Sequence, residues 1–152
     1  MPPKSSAAFA KPVIIADASL IVHLCVDGEQ TPLAEAVYAQ DSVWVAPVLW
    51  RSEVRSALMK YLRQRLMGMD SAMISLQMAE ETMAGHEYTA DSRKVLESAH
   101  ESKCSAYDCE YVTLAQDLGV PLVTADKQIL KAFPKTAISL EKFSLEKFAK
   151  KK

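Results

Sequence analysis

The sequence predicts an α/β protein of three layers, with a parallel sheet of four to five strands between two layers of helices. Short apolar runs such as residues 12–16, 42–46 and 122–124 are typical of strands buried on both faces. They alternate with longer stretches in which apolar residues recur at helical spacing. Strands that alternate with helices are joined by right-handed crossovers, which make neighbouring strands parallel.

Turn and cap residues indicate the limits of the elements in the first half of the chain. Gly28 separates the first two helices, and Pro47 closes the second strand. Gly68 and Gly85 follow the third and fourth helices, and the cap residues Thr31 and Asp70 begin the second and the fourth. The predicted elements are strand 12–16, helix 19–26, helix 31–40, strand 42–46, helix 48–67 and helix 70–83.

Residues 105–126 give the strongest pattern of the second half, one helix followed by one buried strand. Ser105 can cap the helix, Gly119 suits the position just past its end, and Pro121 prevents its continuation. The face predicted to be apolar consists of Tyr107, Tyr111, Leu114, Ala115 and Leu118. The other predicted elements are a weak strand at 86–89, helix 91–102, a short helix 127–133 and an edge strand at 136–140.

Composition indicates one globular domain. The chain has 152 residues, of which 49% are apolar and 24% charged, with a net charge of −1. We expect a flexible tail at 1–11, a folded domain at 12–143 and a basic tail at 144–152, ending in Lys150-Lys151-Lys152. The lysine-rich end either contacts nucleic acid or is simply solvated.

No apolar run approaches the ~20 residues that span a bilayer, so we expect no membrane segment. The first residues carry charge and lack an apolar core, so we also expect no signal peptide. The three cysteines are odd in number, and their spacing matches no disulfide or metal-ligand pattern. Together these features predict a cytoplasmic protein with reduced thiols.

Four acidic residues occupy positions that can converge. Asp17 and Asp126 directly follow buried strands, while Glu53 and Asp108 lie in the first turns of helices. The carboxyl ends of parallel strands share one edge of a sheet, where ligands bind in such folds. Clustered carboxylates repel unless a cation lies between them, and oxygen ligands without His or Cys suit Mg²⁺ or Mn²⁺. Such an ion activates water and stabilises charge on a phosphodiester.

Hydroxyl groups lie next to two of these carboxylates. Thr124 and Ser19 can orient metal ligands by hydrogen bonds. Each acidic residue also has a simpler possible role. Asp17 and Asp126 can cap the helices that follow them, Asp108 can form a capping box with Ser105, and Glu53 can pair with Arg51 or Arg55.

The segments IIADASL, SEV and SAYDCEYVTLAQDLGVPLVTADKQIL resemble the signature segments of PIN-domain proteins, most closely the VapC-type toxins of VapBC pairs. The resemblance covers residues 13–140. It implies a sheet in the order 3-2-1-4-5 and a Mg²⁺- or Mn²⁺-dependent endoribonuclease. It also implies that Asp17, Glu53, Asp108 and Asp126 are the catalytic, metal-binding residues, with Thr124 beside the last.

Methionines are concentrated in the two helices between residues 48 and 83. They either fill the core or hold a partner segment in a groove. The family resemblance favours a homodimer that binds a cognate antitoxin. Arg51, Arg55, Arg63 and Arg65 can contact RNA phosphates, acidic partner residues or solvent.

Two other functions remain open. One is a PIN-like module that binds RNA or protein without catalysis, although the presence of all four acidic residues argues against it. The other is a different magnesium-dependent phosphoryl-transfer enzyme. The triplet Asp17-Ala18-Ser19 lacks the second aspartate of a haloacid-dehalogenase-type phosphatase. A receiver domain needs paired acidic residues near the end of the first strand, and this pair is absent from the sequence.

Overall fold

A computed structural model describes residue 3 and residues 5–151, with the side chains of residues 6 and 147–151 left out. The sheet has five parallel strands in the order β3-β2-β1-β4-β5, which confirms the predicted fold class and strand order. The strands are β1 (Val13–Ala16), β2 (Val43–Pro47), β3 (Glu87–Tyr88), β4 (Leu122–Val123) and β5 (Ala137–Ile138).

Eight α-helices of the described chain cover the sheet. They are α1 (Ala18–Cys25), α2 (Thr31–Gln40), α3 (Trp50–Arg63), α4 (Met69–Met83), α5 (Ser92–Ser102), α6 (Ala106–Leu118), α7 (Lys127–Ala132) and α8 (Leu140–Lys151). Helices α1 to α4 pack together with α8, whereas α5 packs on α6. Right-handed crossovers place these two groups on opposite faces of the sheet. None of the helices in the described residues is long and apolar enough to span a membrane.

The core lies between the sheet and both helical layers. Ile14, Ile15 and Trp44 on the strands and Leu114 on α6 are fully buried. Because β1 and β4 are buried on both faces, their sequences are continuous apolar runs rather than alternating ones. Tyr107 is 63% exposed, so its predicted place on the buried face of α6 was wrong, while Tyr111, Leu114, Ala115 and Leu118 are buried as expected.

Helix α3 ends at Arg63 and not at residue 67 as predicted. Arg65 has a left-handed backbone, with φ of 58°. The amide of Leu66 donates to the carbonyl of Tyr61, and the amide of Arg65 donates to that of Leu62, which together form a Schellman motif. Gly68 was the misleading signal, because glycine usually occupies the left-handed position that an arginine takes here.

Caps also differ from prediction at two helices. Thr31 does not cap α2 from outside, because it is the first residue of that helix, where its hydroxyl accepts from the amide of Gly28 and donates to the carbonyl of Val26. Asp70 lies in the first turn of α4, and the residue at the cap position is Gly68.

Described residues near both ends of the chain form structure that was not predicted. Ser6–Ala8 form a 3₁₀ turn, and Phe9 packs against the core with its ring centroid 6.1 Å from that of His86. Helix α8 covers most of the stretch predicted as a basic tail, and its residues Leu140 and Phe143 are buried. The division into a domain and two tails stays a prediction. Residues 1, 2, 4 and 152 and the side chains of Lys150 and Lys151 lie outside the described part.

Candidate active site

The site begins where the chain changes direction across the sheet. From β1 the chain proceeds to β2 on one side and later to β4 on the other, so β1 and β4 flank the switch point of the fold. Ala16 is paired with Val123, which places the next residues, Asp17 and Thr124, side by side at the carboxyl edge. The Thr124 hydroxyl donates a hydrogen bond to Oδ2 of Asp17, and both residues are buried.

Asp17 receives two further hydrogen bonds at its other oxygen. The Ser19 hydroxyl donates to Oδ1 over 2.5 Å, and the amide of Leu20 donates over 3.0 Å. The second bond makes Asp17 the cap of α1, as the simpler interpretation held. Because a carboxylate has about four lone-pair positions, capping does not exhaust its capacity to accept another ligand.

Asp126 joins this network through its backbone. Its amide donates to the Thr124 hydroxyl over 3.0 Å, so one buried hydroxyl connects Asp17 with Asp126, three residues after the end of β4. The Asp126 carboxylate caps α7 by accepting from the amides of Gln128 and Ile129, at 2.8 and 3.1 Å. Both of these contacts use Oδ1.

Glu53 and Asp108 approach the same edge from helices on opposite faces of the sheet. Glu53, in the first turn of α3, accepts a hydrogen bond of 2.6 Å from the phenol of Tyr111 on α6. Asp108, in the first turn of α6, gives its amide to the Ser105 hydroxyl over 3.0 Å. Ser105 therefore caps α6 as predicted. The capping hydrogen bond joins the Ser105 hydroxyl to the backbone amide of Asp108 and does not involve the Asp108 carboxylate.

Burial and mutual repulsion raise the pKa of two of these carboxyls. The pKa of Asp17 is raised chiefly by burial, with the charge of Asp126 adding to the shift and the hydrogen bonds opposing it. Burial also raises the pKa of Glu53, against the hydrogen bond from Tyr111, and the charges of Asp17 and Asp108 contribute. Asp126 therefore lies close enough to Asp17, and Asp17 and Asp108 lie close enough to Glu53, for their charges to disfavour ionisation of Asp17 and Glu53.

The arrangement is an acidic edge and not a complete set of ligands. Within the described residues, no group of three or more His, Cys, Asp or Glu side chains is placed so as to hold a metal ion. The donor chemistry nevertheless fits a hard divalent cation, because every candidate ligand is a carboxylate oxygen. A cation would also relieve the repulsion that, after burial, contributes to the raised pKa of Asp17 and Glu53.

Two residues of the site region behave differently from the sequence prediction. Arg51 does not pair with Glu53, because its guanidinium makes two hydrogen bonds to Glu87 at 2.7 and 3.0 Å and lies 3.6 Å from Glu80. Tyr111, treated only as an apolar residue, proves to be the polar partner of Glu53. Its position, one turn after Asp108 on a buried face, was the available signal, because a buried phenol needs a hydrogen-bond partner.

Ribonuclease VapC3 of Pyrobaculum aerophilum is 30% identical to this chain over 124 residues, which are 80% of this chain and 95% of that protein. The chain belongs to the VapC family of PIN-domain proteins. This membership confirms the resemblance inferred from the sequence segments.

A solved structure agrees with this VapC fold. The crystal structure of PAE2754 from Pyrobaculum aerophilum matches with a TM-score of 0.70 at 24% identity, over 97% of this chain and 99% of that one. No protein-family model matches the chain.

Proposed function

We propose that this VapC-family protein is a Mg²⁺- or Mn²⁺-dependent endoribonuclease and the toxin of a toxin–antitoxin pair. The observation that carries the proposal is the pairing of Asp17 with Thr124 at the switch point, which ties the buried carboxylate to the backbone of Asp126. Family membership supports RNA as the substrate, since the relative is named a ribonuclease. The same name supports a cognate antitoxin as the partner.

Asp17, Glu53, Asp108 and Asp126 would hold the cation. When bound, it would lower the pKa of a coordinated water and stabilise negative charge on the phosphodiester. Neighbouring side chains hold two of these carboxylates in position. Ser19 and Thr124 fix both oxygens of Asp17, and Tyr111 fixes one oxygen of Glu53. Cleavage adds water across one P–O bond, so it consumes no other reactant.

The purified chain, freed of any partner, should cut RNA with Mg²⁺ or Mn²⁺ and stop in excess chelator. Asp17→Asn keeps the volume and the helix cap but removes the charge, so we expect at least a ~100-fold loss of cleavage. The measurement is the cleavage rate of single-stranded RNA. Full activity in chelator would contradict the metal mechanism. Equal behaviour of wild type and Asp17→Asn in every assay would favour the non-catalytic binding module.

An exposed apolar surface supports a protein partner. Met69, Met73, Ile74 and Met78 on α4 are between 44% and 69% exposed, and Leu66 just before α4 is 65% exposed. Clusters of this kind are typical of interfaces, so we propose that α4 contributes to a homodimer or to the antitoxin contact. Met83 on the same helix is fully buried and fills the core, whereas the exposed methionines of α4 do not. Core filling therefore accounts for only part of the methionine pattern.

Growth separates the toxin from a harmless nuclease. Expression of the wild type alone should slow growth, and co-expression of the neighbouring gene product should restore it. Asp17→Asn is the matched control, because cells that express this variant alone should grow as fast as cells that express no toxin. The proposed place of action is the cytoplasm, where Cys25, Cys104 and Cys109, all free thiols here, would stay reduced.

A further inference from the structure

We propose that the groove between α1 and α3 binds one nucleotide of the RNA substrate beside the scissile phosphate, with Lys60 on a phosphate and Tyr61 on the base. The proposal rests on the proposed function, because it assigns a substrate position to the same site. The groove has a volume of about 450 Å³. This volume is within the range of small-ligand pockets, ≈300–1,000 Å³.

The groove is continuous with the acidic edge. Glu53 is one of its lining residues, and Ala57 and Lys60 follow on the same face of α3 at helical spacing. With a rise of ~1.5 Å per residue, Lys60 lies ~10 Å along the helix axis from Glu53. A strand of RNA with its reacting phosphate at the acidic edge would therefore place an adjoining nucleotide in the groove.

The lining chemistry suits a nucleotide. Val22 from α1 and Ala57 from α3 give apolar walls, and the half-buried ring of Tyr61 packs at the edge of the core. Unstacked bases of single-stranded RNA bind on such aromatic rings. Among the residues that the structure describes, Lys60 has no carboxylate within ion-pair distance, so its ammonium is available for a phosphate.

His23 adds the means to distinguish bases. The half-buried imidazole lines the groove, and burial lowers the pKa of His23 against the opposing charge of Asp17. A neutral imidazole has one donor and one acceptor nitrogen, which can pair with the edge of a base. The exposed apolar residues that suit a protein partner, among them Ile74 and Met73, lie on α4 and do not line this groove.

The test is binding and cleavage of short single-stranded RNAs that differ at one position beside the cut. Tyr61→Leu keeps an apolar side chain but removes the aromatic ring, so RNA affinity should fall about 5- to 150-fold, while Tyr61→Phe should bind like wild type. Lys60→Ala should raise KM more than it lowers kcat and reduce the salt dependence by about 0.7 in slope. His23→Ala should weaken the preference for one base.

Lys11→Ala is the matched control, because Lys11 precedes β1 and so lies at the opposite edge of the sheet. It should leave both affinity and KM unchanged. Thermal unfolding of each variant checks that the fold is retained. If Tyr61→Leu and Lys60→Ala cleave and bind RNA like Lys11→Ala, the proposed nucleotide site is wrong. The same holds if they bind RNA normally and lose only the protein partner.

Failure of the nuclease proposal would look different. Binding is measured in chelator, where no cleavage is expected. If the wild type never cuts RNA but its binding still depends on Tyr61 and Lys60, the nucleotide site stands and the catalytic proposal falls. If the wild type cuts RNA with metal and the groove variants change neither KM nor base preference, the nuclease proposal stands and the proposed nucleotide site is wrong.

Discussion

The two halves of the acidic edge are held in different ways. The strand half consists of Asp17, Ser19, Thr124 and Asp126, which follow β1 and β4 and are joined by hydrogen bonds among themselves and to backbone amides. The helix half consists of Glu53, Asp108 and Tyr111. Here the phenol bond of 2.6 Å joins α6 to α3, and Asp108 affects Glu53 through its charge.

Because of this difference, substitutions in the two halves should affect the stability and the activity of the protein differently. The geometry of the strand half follows from the pairing of two central strands, so a change there should affect both the fold and the reaction. In the helix half, Glu53 and Asp108 lie in the first turns of α3 and α6, and neither carboxylate caps its helix, since Ser105 caps α6 and α3 begins without a side-chain cap. Changes in the helix half should therefore alter ionisation and metal binding while the fold keeps its stability.

Thr124→Val is the change in the strand half that we expect to lower stability most. The hydroxyl is fully buried, donates to Asp17 and accepts from the amide of Asp126. Valine has the same shape but leaves both partners unsatisfied, which should lower the free energy of unfolding by about 1–3 kcal/mol. Cleavage should fall about 10- to 100-fold, because Asp17 loses its orientation. Chemical denaturation and single-turnover cleavage measure the two effects.

Thr113→Val is the control for this change. Thr113 is 1% exposed on α6, and its hydroxyl has no hydrogen-bond partner in the described structure. Removing an unsatisfied buried hydroxyl should leave stability unchanged or raise it. Thr124→Ser, which keeps the hydroxyl, should retain most activity. If Thr124→Val proved as harmless as Thr113→Val, the strand half would not be organised around this hydroxyl.

The strand half was also the part that sequence could predict. An apolar run followed at once by Asp17, and another followed by Thr124 and Asp126, place these residues at one edge as soon as the sheet is known to be parallel. The order of β1 and β4 came from the family resemblance. Local sequence alone does not say which strands are neighbours.

The helix half was less predictable because its contacts cross between layers. Glu53 and Tyr111 are 58 positions apart, and no local pattern links a residue of α3 with one of α6. The same reason explains Arg51, whose partners Glu80 and Glu87 belong to α4 and β3. Helix α8 was missed because its apolar residues Leu140 and Phe143 lie among lysines and glutamates.

Tyr111→Phe should have an intermediate effect, visible as a function of pH. The hydrogen bond from Tyr111 lowers the pKa of Glu53, which burial raises above the usual glutamate value. Without the phenol the pKa should rise further, so more of Glu53 is protonated at a given acidic pH. The acid limb of the cleavage profile should therefore move to higher pH.

Tyr107→Phe is the matched control, because Tyr107 is an exposed tyrosine of the same helix. Its pH profile should coincide with that of the wild type. Rates should differ least at the alkaline end of the profile, where Glu53 is ionised in the wild type and in both variants. An unchanged acid limb in Tyr111→Phe would remove Glu53 from the ionisations that control cleavage.

Asp108→Asn has the smallest expected effect on stability and decides what Asp108 does. If its charge mainly supports the start of α6, the change should lower stability by about 0.5–1 kcal/mol with or without metal. If it belongs to the acidic edge, loss of repulsion with Glu53 should leave stability in chelator unchanged or higher. Ser105→Ala is the reference, since losing that cap should cost about 1 kcal/mol in both conditions.

Metal completes the test of Asp108. With excess Mg²⁺ or Mn²⁺ the wild type should gain stability by an amount set by the ratio of ion concentration to dissociation constant. Asp108→Asn should gain less, because one ligand is missing, whereas Ser105→Ala should gain as much as the wild type. Thermal unfolding at neutral pH in chelator and in metal measures all three proteins. An Asp108→Asn protein that is weaker in chelator and gains fully from metal would place Asp108 outside the metal site and leave Glu53 as the carboxylate of the helix half.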